Sequence, residues 1–204
     1  MFFRKKLIRN LSLIISLLLV SSYVYYSILK IKSLNKSYDI QTFTCETKTH
    51  LYEELIKQQF KNNSTSIKPN INLTGLDNKV NSFKNIVGNS NKLIIRNSET
   101  GCGMCIENEL KVIKEYLKSI GLKNIILITT HNSARKLEVF KKMNNIEFDM
   151  YFCDNLGFYF EIESEKPFIF TIGPDLIARN FFIPNMELPK LSEYYYSEVV
   201  KLNP

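Results

Sequence analysis

The sequence contains few of the residues that hold metals or haem. Its 204 residues include no Trp and two His, and its four Cys include a single C-x-x-C pair, Cys102 and Cys105. Structural zinc needs four ligands, and His50 and His131 are isolated residues, which argues against a zinc site. Covalent haem attachment needs a His directly after the second Cys, where Ile106 stands. The sequence therefore predicts no metal and no other cofactor.

Basic residues are abundant only near the N-terminus. The formal net charge is +7, but residues 1–60 carry 9 Lys and Arg against 4 Asp and Glu, whereas residues 61–204 carry 18 against 16. Because the excess does not lie on the main part of the chain, no nucleic-acid partner is predicted. The apolar fraction of 45% is enough to build a folded core.

The order of charge and hydrophobicity at the N-terminus predicts a membrane anchor. A basic flank at residues 4–9 precedes the run Leu11–Leu29, which has no charge in 19 residues, close to the ~20 that a helix needs to cross a bilayer. The basic flank is expected in the cytoplasm, which leaves everything after Lys30 outside it. The alternative is a signal peptide cleaved near Val20–Ser22, but the apolar run continues through Tyr23–Tyr26, which favours retention.

Apolar runs and helical periodicities alternate along the rest of the chain. Strands are predicted over 71–73, 91–98, 124–130 and 149–153, helices over 105–120, 133–143 and 188–202, and a hairpin over 168–172 and 176–182. Continuous apolar runs such as Leu93–Ile95 and Ile125–Ile128 are typical of strands that are covered on both faces. This order predicts an α/β fold, with a central mixed sheet flanked by helices.

Three regions are predicted along the chain. Residues 1–32 form the anchor, residues 33–68 a stalk with an amphipathic helix, and residues 69–204 the folded domain. The helix in the stalk is predicted because Leu51, Leu55 and Phe60 recur at helical spacing. Residues 62–66, all polar, are interpreted as a linker between this helix and the domain.

The C-x-x-C pair follows an apolar strand and opens a helix, and this position predicts its chemistry. The first Cys lies beside the unpaired N–H groups and the partial positive charge of the helix start, which stabilise a thiolate. The order strand, C-x-x-C, helix therefore predicts thiol–disulfide exchange. Cys102 is expected to be the exposed nucleophile, and Cys105 the buried sulfur that resolves the mixed disulfide. Gly103 and Met104 are expected to tune the redox potential, and Met104 to face the substrate.

The chain resembles the thioredoxin-like superfamily and, more narrowly, the TlpA-like, membrane-anchored thiol–disulfide oxidoreductases of bacterial envelopes. The resemblance covers residues 70–202 and rests on the strand Leu93–Ile95, the Cys102/Cys105 pair, the strand Ile125–Ile128 and Pro167 before Phe168–Phe170. It implies a thioredoxin-like fold, with Pro167 as a cis-proline beside the redox pair. It also implies that Lys166 and Pro167 offer backbone groups to an extended substrate.

Several positions depart from the family pattern. The usual Trp before the first Cys is replaced by Thr100-Gly101. The buried acid that thioredoxins carry on the preceding strand is replaced by Arg96, which is expected either to stabilise a thiolate or to face solvent. Glu107 and Glu109 are expected to interact with the helix dipole. Peroxide-reducing relatives carry a Thr where Glu99 stands, which disfavours a peroxidase.

These observations predict a single-pass inner-membrane thiol–disulfide oxidoreductase with its domain on the periplasmic side. Its expected partners are exported proteins that carry thiols or disulfides, and a membrane-embedded thiol protein that supplies electrons; the direction of exchange stays open. The alternative is a non-catalytic thioredoxin-fold binding or scaffold module of the envelope. Cys45 and Cys153 are expected to be free or buried thiols, with a structural bridge between them as the alternative.

Overall fold

The computed structural model describes residues 2–202, with side chains at 21–34, 46–162 and 164–198. The chain divides into two compact units, Met1–Glu53 and Glu54–Pro204. The first unit consists of the greater part of helix α1, which covers Phe2–Asn62. Among the residues with described side chains, no helix is long and apolar enough to cross a membrane. The first ten residues of the predicted span Leu11–Leu29 lie outside that part of the chain.

The second unit contains a mixed sheet and its helices, in the order predicted from the sequence. The strands are β1 (Asn72–Gly75), β2 (Val80–Ser82), β3 (Lys92–Asn97), β4 (Ile125–Thr129), β5 (Asp149–Phe152), β6 (Phe168–Ile172) and β7 (Ala178–Phe182). The helices are α2 (Phe83–Val87), α3 (Gly103–Ile120), α4 (Ala134–Met143), α5 (Tyr159–Glu163) and α6 (Pro189–Leu202). The predicted α/β class, with helices flanking a mixed sheet, is confirmed.

The order of the strands brings distant parts of the sequence together where β3 ends and β6 begins. The seven strands lie in the order β2-β1-β5-β4-β3-β6-β7. Strand β3 pairs in parallel with β4 and antiparallel with β6, so that Arg96 lies opposite Phe168. The loop that leaves β3 therefore meets the segment that enters β6. This register places the residues before Cys102 beside those before Phe168.

Helices and loops bury both faces of the sheet. One core is rich in aromatic rings, with the Phe158 ring centroid 5.1 Å from that of Phe168 and 4.8 Å from that of Phe170. The other lies under α3 and α6 and is mainly aliphatic. Strand β3 supplies Ile94 to the first core and Ile95 to the second. This explains its continuous apolar run, because side chains alternate between the two faces of a sheet.

The segment that follows α1 is part of the sheet edge, so its interpretation as a polar linker is wrong. The Ser64 N–H donates to the Ala178 carbonyl at 2.8 Å, and the Ala178 N–H donates to the Thr65 carbonyl at 2.8 Å. Ile67 is fully buried, and Asn62 is buried with its Oδ1 accepting the Phe160 N–H at 3.1 Å. The edge strand needs partners for its backbone groups, and this polar segment supplies them.

Candidate functional site

The loop between β3 and α3 ends in a disulfide between Cys102 and Cys105. The Cα atoms of the two residues are 5.2 Å apart, a normal spacing for a disulfide. Cys102 is the N-cap of α3, and its Sγ accepts a hydrogen bond from the Cys105 N–H at 3.2 Å. When the bond is reduced, a thiolate on Cys102 meets both this N–H and the partial positive charge of the helix start.

The four residues of the motif differ in exposure. Cys102 is half-buried, whereas Gly103 and Met104 are exposed, with 66% of Met104 accessible. Cys105 is half-buried as well, so the two residues do not differ in their class of exposure. A cleft between α3 and the start of α6 leaves one side of Cys105 open.

Pro167 directly precedes β6, but its peptide bond does not have the geometry that the resemblance implied. Pro167 is buried at the entrance to β6, and Lys166 beside it is exposed. No peptide bond in the described part of the chain is cis, so the prediction of a cis-proline at this position is wrong. The trans isomer of an X–Pro bond is the more stable one by about 0.5–1 kcal/mol. The Lys166 N–H donates to Ser164 Oγ at 3.2 Å.

The segment before Pro167 contacts the loop before Cys102. Thr100 Oγ1 donates to a carboxylate oxygen of Glu165 at 2.8 Å. Gly101 lies so close to the Glu165 backbone that a Cβ at Gly101 would be 2.1 Å from the Glu165 carbonyl oxygen. In the sequence, Thr100-Gly101 stood out only because the family's usual Trp is absent from this position. The structure shows that a residue without a side chain is needed at position 101 for this contact.

Arg96 is buried, so the alternative in which it faces solvent is wrong. It is 3% exposed and forms an ion pair with Glu161, with Nε 2.7 Å from Oε1. Its two other nitrogens donate to the carbonyl groups of Cys153, at 3.1 Å, and Asp154, at 2.8 Å. Arg96 therefore anchors the chain that follows β5 and does not face solvent.

The carboxylate of Glu161 completes this network. Its Oε2 accepts three backbone N–H groups, at 2.8 Å from Leu156, 3.1 Å from Gly157 and 3.2 Å from Phe158. A buried charge is stable only when it is paired and hydrogen-bonded, and both members of the pair meet that condition. Because α5 contains Glu161 and leads to Glu165, the pair also fixes the segment that meets Gly101.

Glu109 is a buried acid that sequence reasoning assigned only to the helix dipole. It is 3% exposed, and its carboxylate accepts hydrogen bonds from the hydroxyl of Tyr196, at 2.5 Å, and from that of Ser192, at 2.8 Å. Burial raises its pKa, and the two hydrogen bonds act in the opposite direction. Glu109 lies three residues after Ile106 and four before Ile113, both buried on α3. Helical periodicity therefore places Glu109 on the buried face of the helix. Glu107 is exposed, and α3 has no acidic residue in its first turn.

Cys153 is a free buried thiol, as one of the two alternatives predicted. Burial raises its pKa to about 11, and the nearby Arg96 only partly opposes this effect. Such a thiol carries almost no thiolate at neutral pH and is therefore chemically inert. The predicted thiol of Cys45 lies outside the side chains that the structure describes.

No protein-family model and no curated protein matches this sequence. Solved structures do match this chain over about two thirds of its length. A thiol:disulfide interchange protein from Bacteroides sp. is 16% identical, with a TM-score of 0.52 over 69% of this chain and 90% of that one. The thioredoxin domain of a thiol-disulfide oxidoreductase from Bacteroides vulgatus is 13% identical, with a TM-score of 0.52 over 69% and 98%.

The domain has a thioredoxin-like fold. The superfamily to which the sequence analysis pointed is thus confirmed at the level of fold. A peroxidoxin from Mycobacterium tuberculosis also matches, at 9% identity with a TM-score of 0.51 over 68% of this chain and 97% of that one. Since the same fold carries different reactions, the activity has to be argued from the site.

Polar groups just after β4 and on α4 contact the redox loop, which consists of residues 98–102 between β3 and α3. The Glu99 N–H donates to Thr130 Oγ1 at 2.7 Å, and the Glu99 carboxylate pairs with Lys136 at 2.6 Å, which lowers the pKa of Glu99. His131 was expected on the surface but is half-buried, with its ring centroid 5.4 Å from that of Phe140. Burial lowers the pKa of His131, so the ring is neutral at physiological pH.

We expect Gly101→Ala to destabilise the oxidised protein. The added Cβ would overlap the Glu165 carbonyl, and overpacking of this kind costs about 1–3 kcal/mol. The matched control is Gly103→Ala, because a Cβ at Gly103 has no atom within 4 Å. Urea denaturation measures the free energy of unfolding of both variants. Equal values for the two would contradict a close contact between Gly101 and Glu165.

We expect Arg96→Met or Glu161→Gln to destabilise the protein by about 3–5 kcal/mol, because each leaves a buried group without its partner. Lys79→Met is the control. It breaks the ion pair with Asp77, whose two side chains are 78% and 55% exposed, and should leave the free energy of unfolding almost unchanged. Chemical denaturation provides the comparison. The anchoring role of Arg96 is refuted if its replacement costs no more than that of Lys79.

Proposed function

We propose that this protein is a membrane-anchored thiol–disulfide oxidoreductase that exchanges disulfides with exported proteins through Cys102 and Cys105. One observation carries the proposal: the two residues form a disulfide at the accessible start of α3. The helix start favours the thiolate form of Cys102, which is the form that attacks disulfides. The thioredoxin-like fold supports this chemistry but does not establish it.

The reaction needs only the two sulfurs and a partner. In the reductive direction, the Cys102 thiolate attacks a disulfide of the substrate, and one substrate sulfur leaves as a thiolate. Cys105, deprotonated, then attacks Cys102 Sγ and releases the second substrate sulfur. The protein is now oxidised, and a second thiol protein returns two electrons by the same exchange. The oxidative direction is the reverse of these steps.

Exposed groups around the pair are candidates to contact the substrate. Gly103 and Met104 are accessible, and Met104 provides a flexible apolar side chain. Pro167 has no N–H, and the N–H of Lys166 is already bonded to Ser164. An extended substrate beside this segment would therefore donate its own N–H groups to carbonyl oxygens.

The proposed location rests on the N-terminal sequence. The run Leu11–Leu29 has no charge and follows a basic flank, which favours a single span with its N-terminus in the cytoplasm. The domain would then lie on the periplasmic side of the inner membrane, where disulfides persist. A thiol protein within the same membrane is the proposed source of electrons.

We expect the full-length protein, with dithiothreitol as reductant, to accelerate the reduction of insulin. Cys102→Ser should abolish the acceleration, because the attacking sulfur is lost. Cys153→Ser is the matched control and should keep it, since that thiol is buried and lies outside the pair. Turbidity of the precipitating insulin chains measures the rate. A native protein no faster than Cys102→Ser refutes the enzymatic proposal.

A trapping variant separates an enzyme from a scaffold. Cys105→Ser cannot resolve a mixed disulfide, so substrates should remain attached to Cys102 and appear as adducts on non-reducing gels. A domain that is only a docking module would form no such adducts, even though it binds its partners. Cys102→Ser/Cys105→Ser controls for proteins that bind without a covalent bond.

We expect the full-length chain to stay in the membrane pellet after an alkaline carbonate wash, because a spanning helix resists extraction. Deletion of residues 1–32 should release the protein. A cysteine-free variant with one new Cys on the domain surface, at Ser119, should react with an impermeant maleimide in whole spheroplasts. Recovery of the full-length chain in the washed supernatant would contradict the anchor.

A further inference from the structure

A cleft of about 380 Å³ opens on the side of α3 that faces α6, and Cys105 is part of its wall. Cys102 does not line it, so the cleft meets only one of the two residues of the disulfide. Its volume lies at the lower end of the range for small-molecule sites, which is about 300–1,000 Å³. A small molecule in this cleft would lie beside Cys105 and reach the disulfide from that residue.

The two sulfurs of the disulfide are not equivalent targets for a thiolate. Thiol–disulfide exchange is faster when the sulfur that leaves forms the more stable thiolate. Cys102 is the N-cap of α3, and its Sγ accepts the Cys105 N–H at 3.2 Å, so a thiolate there is stabilised by the helix start. Attack on Cys105 Sγ expels this stabilised thiolate, whereas attack on Cys102 Sγ expels that of Cys105. The stability of the leaving group therefore favours attack on Cys105, wherever a thiolate can reach it.

The cleft lies in the direction from which Cys105 can be attacked. A thiolate approaches a disulfide sulfur along the line of the S–S bond, from the side opposite the sulfur that leaves. Asn108, Glu109 and Val112 follow Cys105 by three, four and seven positions, so these lining residues share its face of α3. Cys102 lies on the other side of Cys105, before α3 begins. The cleft therefore opens on the side of Cys105 that points away from Cys102.

The lining of the cleft indicates which kind of thiol it accepts. Its apolar lining residues are Val112, Pro184, Met186 and Pro189. Two amides, of Asn108 and Asn185, add polar groups, and Lys111 is the only cation among the described residues that line the cleft. Both carboxylate oxygens of Glu109, the one acid, are bonded to hydroxyl groups of α6. This lining suits an aliphatic chain that carries a carboxylate, with Lys111 as the group that attracts the charge.

We infer that a small aliphatic thiol with a carboxylate reduces the disulfide by attacking Cys105 from this cleft, as a source of electrons in addition to the proposed thiol protein. This inference rests on the proposed function. Disulfides of protein substrates are attacked by Cys102, beside the exposed Gly103 and Met104. The small thiol enters between α3 and α6 and reaches the other sulfur. Substrate and small thiol therefore use separate surfaces of the same redox pair.

The reaction balances in atoms and electrons. Two small thiols lose their protons to water and become thiolates. The first forms a bond to Cys105 Sγ, the bond between the two cysteine sulfurs breaks, and Cys102 Sγ leaves with the electron pair. The second attacks the small-molecule sulfur of this mixed disulfide, and Cys105 Sγ leaves as a thiolate and takes a proton from water. The protein has gained two electrons, and the two small thiols have become one disulfide.

The test locates the first bond in the oxidised full-length protein with Cys45→Ser and Cys153→Ser. The protein is mixed with 3-mercaptopropionate, and the exchange is stopped in acid at a series of short times. Fragmentation mass spectrometry then identifies which cysteine carries the added group. We expect the earliest adduct on Cys105. An earliest adduct on Cys102 overturns the inference, although the proposed function stands.

Variants on α3 test the cleft itself. Asn108→Trp, which fills the cleft, should slow reduction by the neutral thiol 2-mercaptoethanol about 10-fold relative to Glu107→Trp, because access to the attacked sulfur sets the rate. Glu107 is exposed on the same helix but does not line the cleft. Lys111→Gln should slow reduction by 3-mercaptopropionate about 5-fold but not reduction by cysteamine, which carries a positive charge. Lys118→Gln, exposed and outside the cleft, is the control for lost charge.

The remaining outcomes separate the inference from the proposed function. Equal rates for the two Trp variants overturn the inference, because the cleft is then not the route to the disulfide. Equal rates for Lys111→Gln and Lys118→Gln towards 3-mercaptopropionate overturn it as well. A reduced native protein that does not reduce insulin refutes the proposed function itself, whichever sulfur the small thiol attacks. Near-native melting temperatures of Asn108→Trp and Lys111→Gln exclude misfolding as the cause of a slower reaction.

Discussion

Arg96 and Glu161 form an ion pair in the interior, between the central strand β3 and the short helix α5. Two charges taken out of water are tolerated only when each finds a complete set of partners. The carbonyl groups of Cys153 and Asp154 satisfy the guanidinium, and three consecutive backbone N–H groups satisfy the carboxylate. The chain between β5 and β6 is thereby fixed to β3. The position of the segment that enters β6, and so its contact with the redox loop, depends on this pair.

Helix α3 combines the chemistry of the site with the core beneath it. Cys102 is its N-cap and Cys105 lies in its first turn, where the Cys105 N–H donates to Cys102 Sγ. Its next turns bury Ile106, Leu110 and Ile113 against the sheet, which fixes the helix in place. The same buried face carries Glu109, which bonds to α6. Helix α3 therefore carries Cys105 and Glu109 about one turn apart, with Cys102 as its N-cap.

Local pattern was sufficient to predict most of the fold. The apolar runs at Leu93–Ile95 and Ile125–Ile128 are central strands, because only such strands are buried on both faces. The helix after Cys102 and the hairpin before α6 were also predicted within a few residues. The C-x-x-C spacing was sufficient to predict the disulfide. In each case the signal lies in neighbouring residues, and a helix turn or a strand alternation is a local property.

The tertiary structure decided the roles that depend on distant partners. The sequence by itself determined the elements, their order and the position of the sulfurs at a helix start, because these follow from periodicity and spacing. It could not show that Arg96 pairs with Glu161, that Glu165 requires a glycine at position 101, or that residues 62–67 cover the edge of β7. Each of these contacts joins residues far apart in the chain, and the free energy of a buried charge or a close backbone approach is set by whatever the fold places beside it.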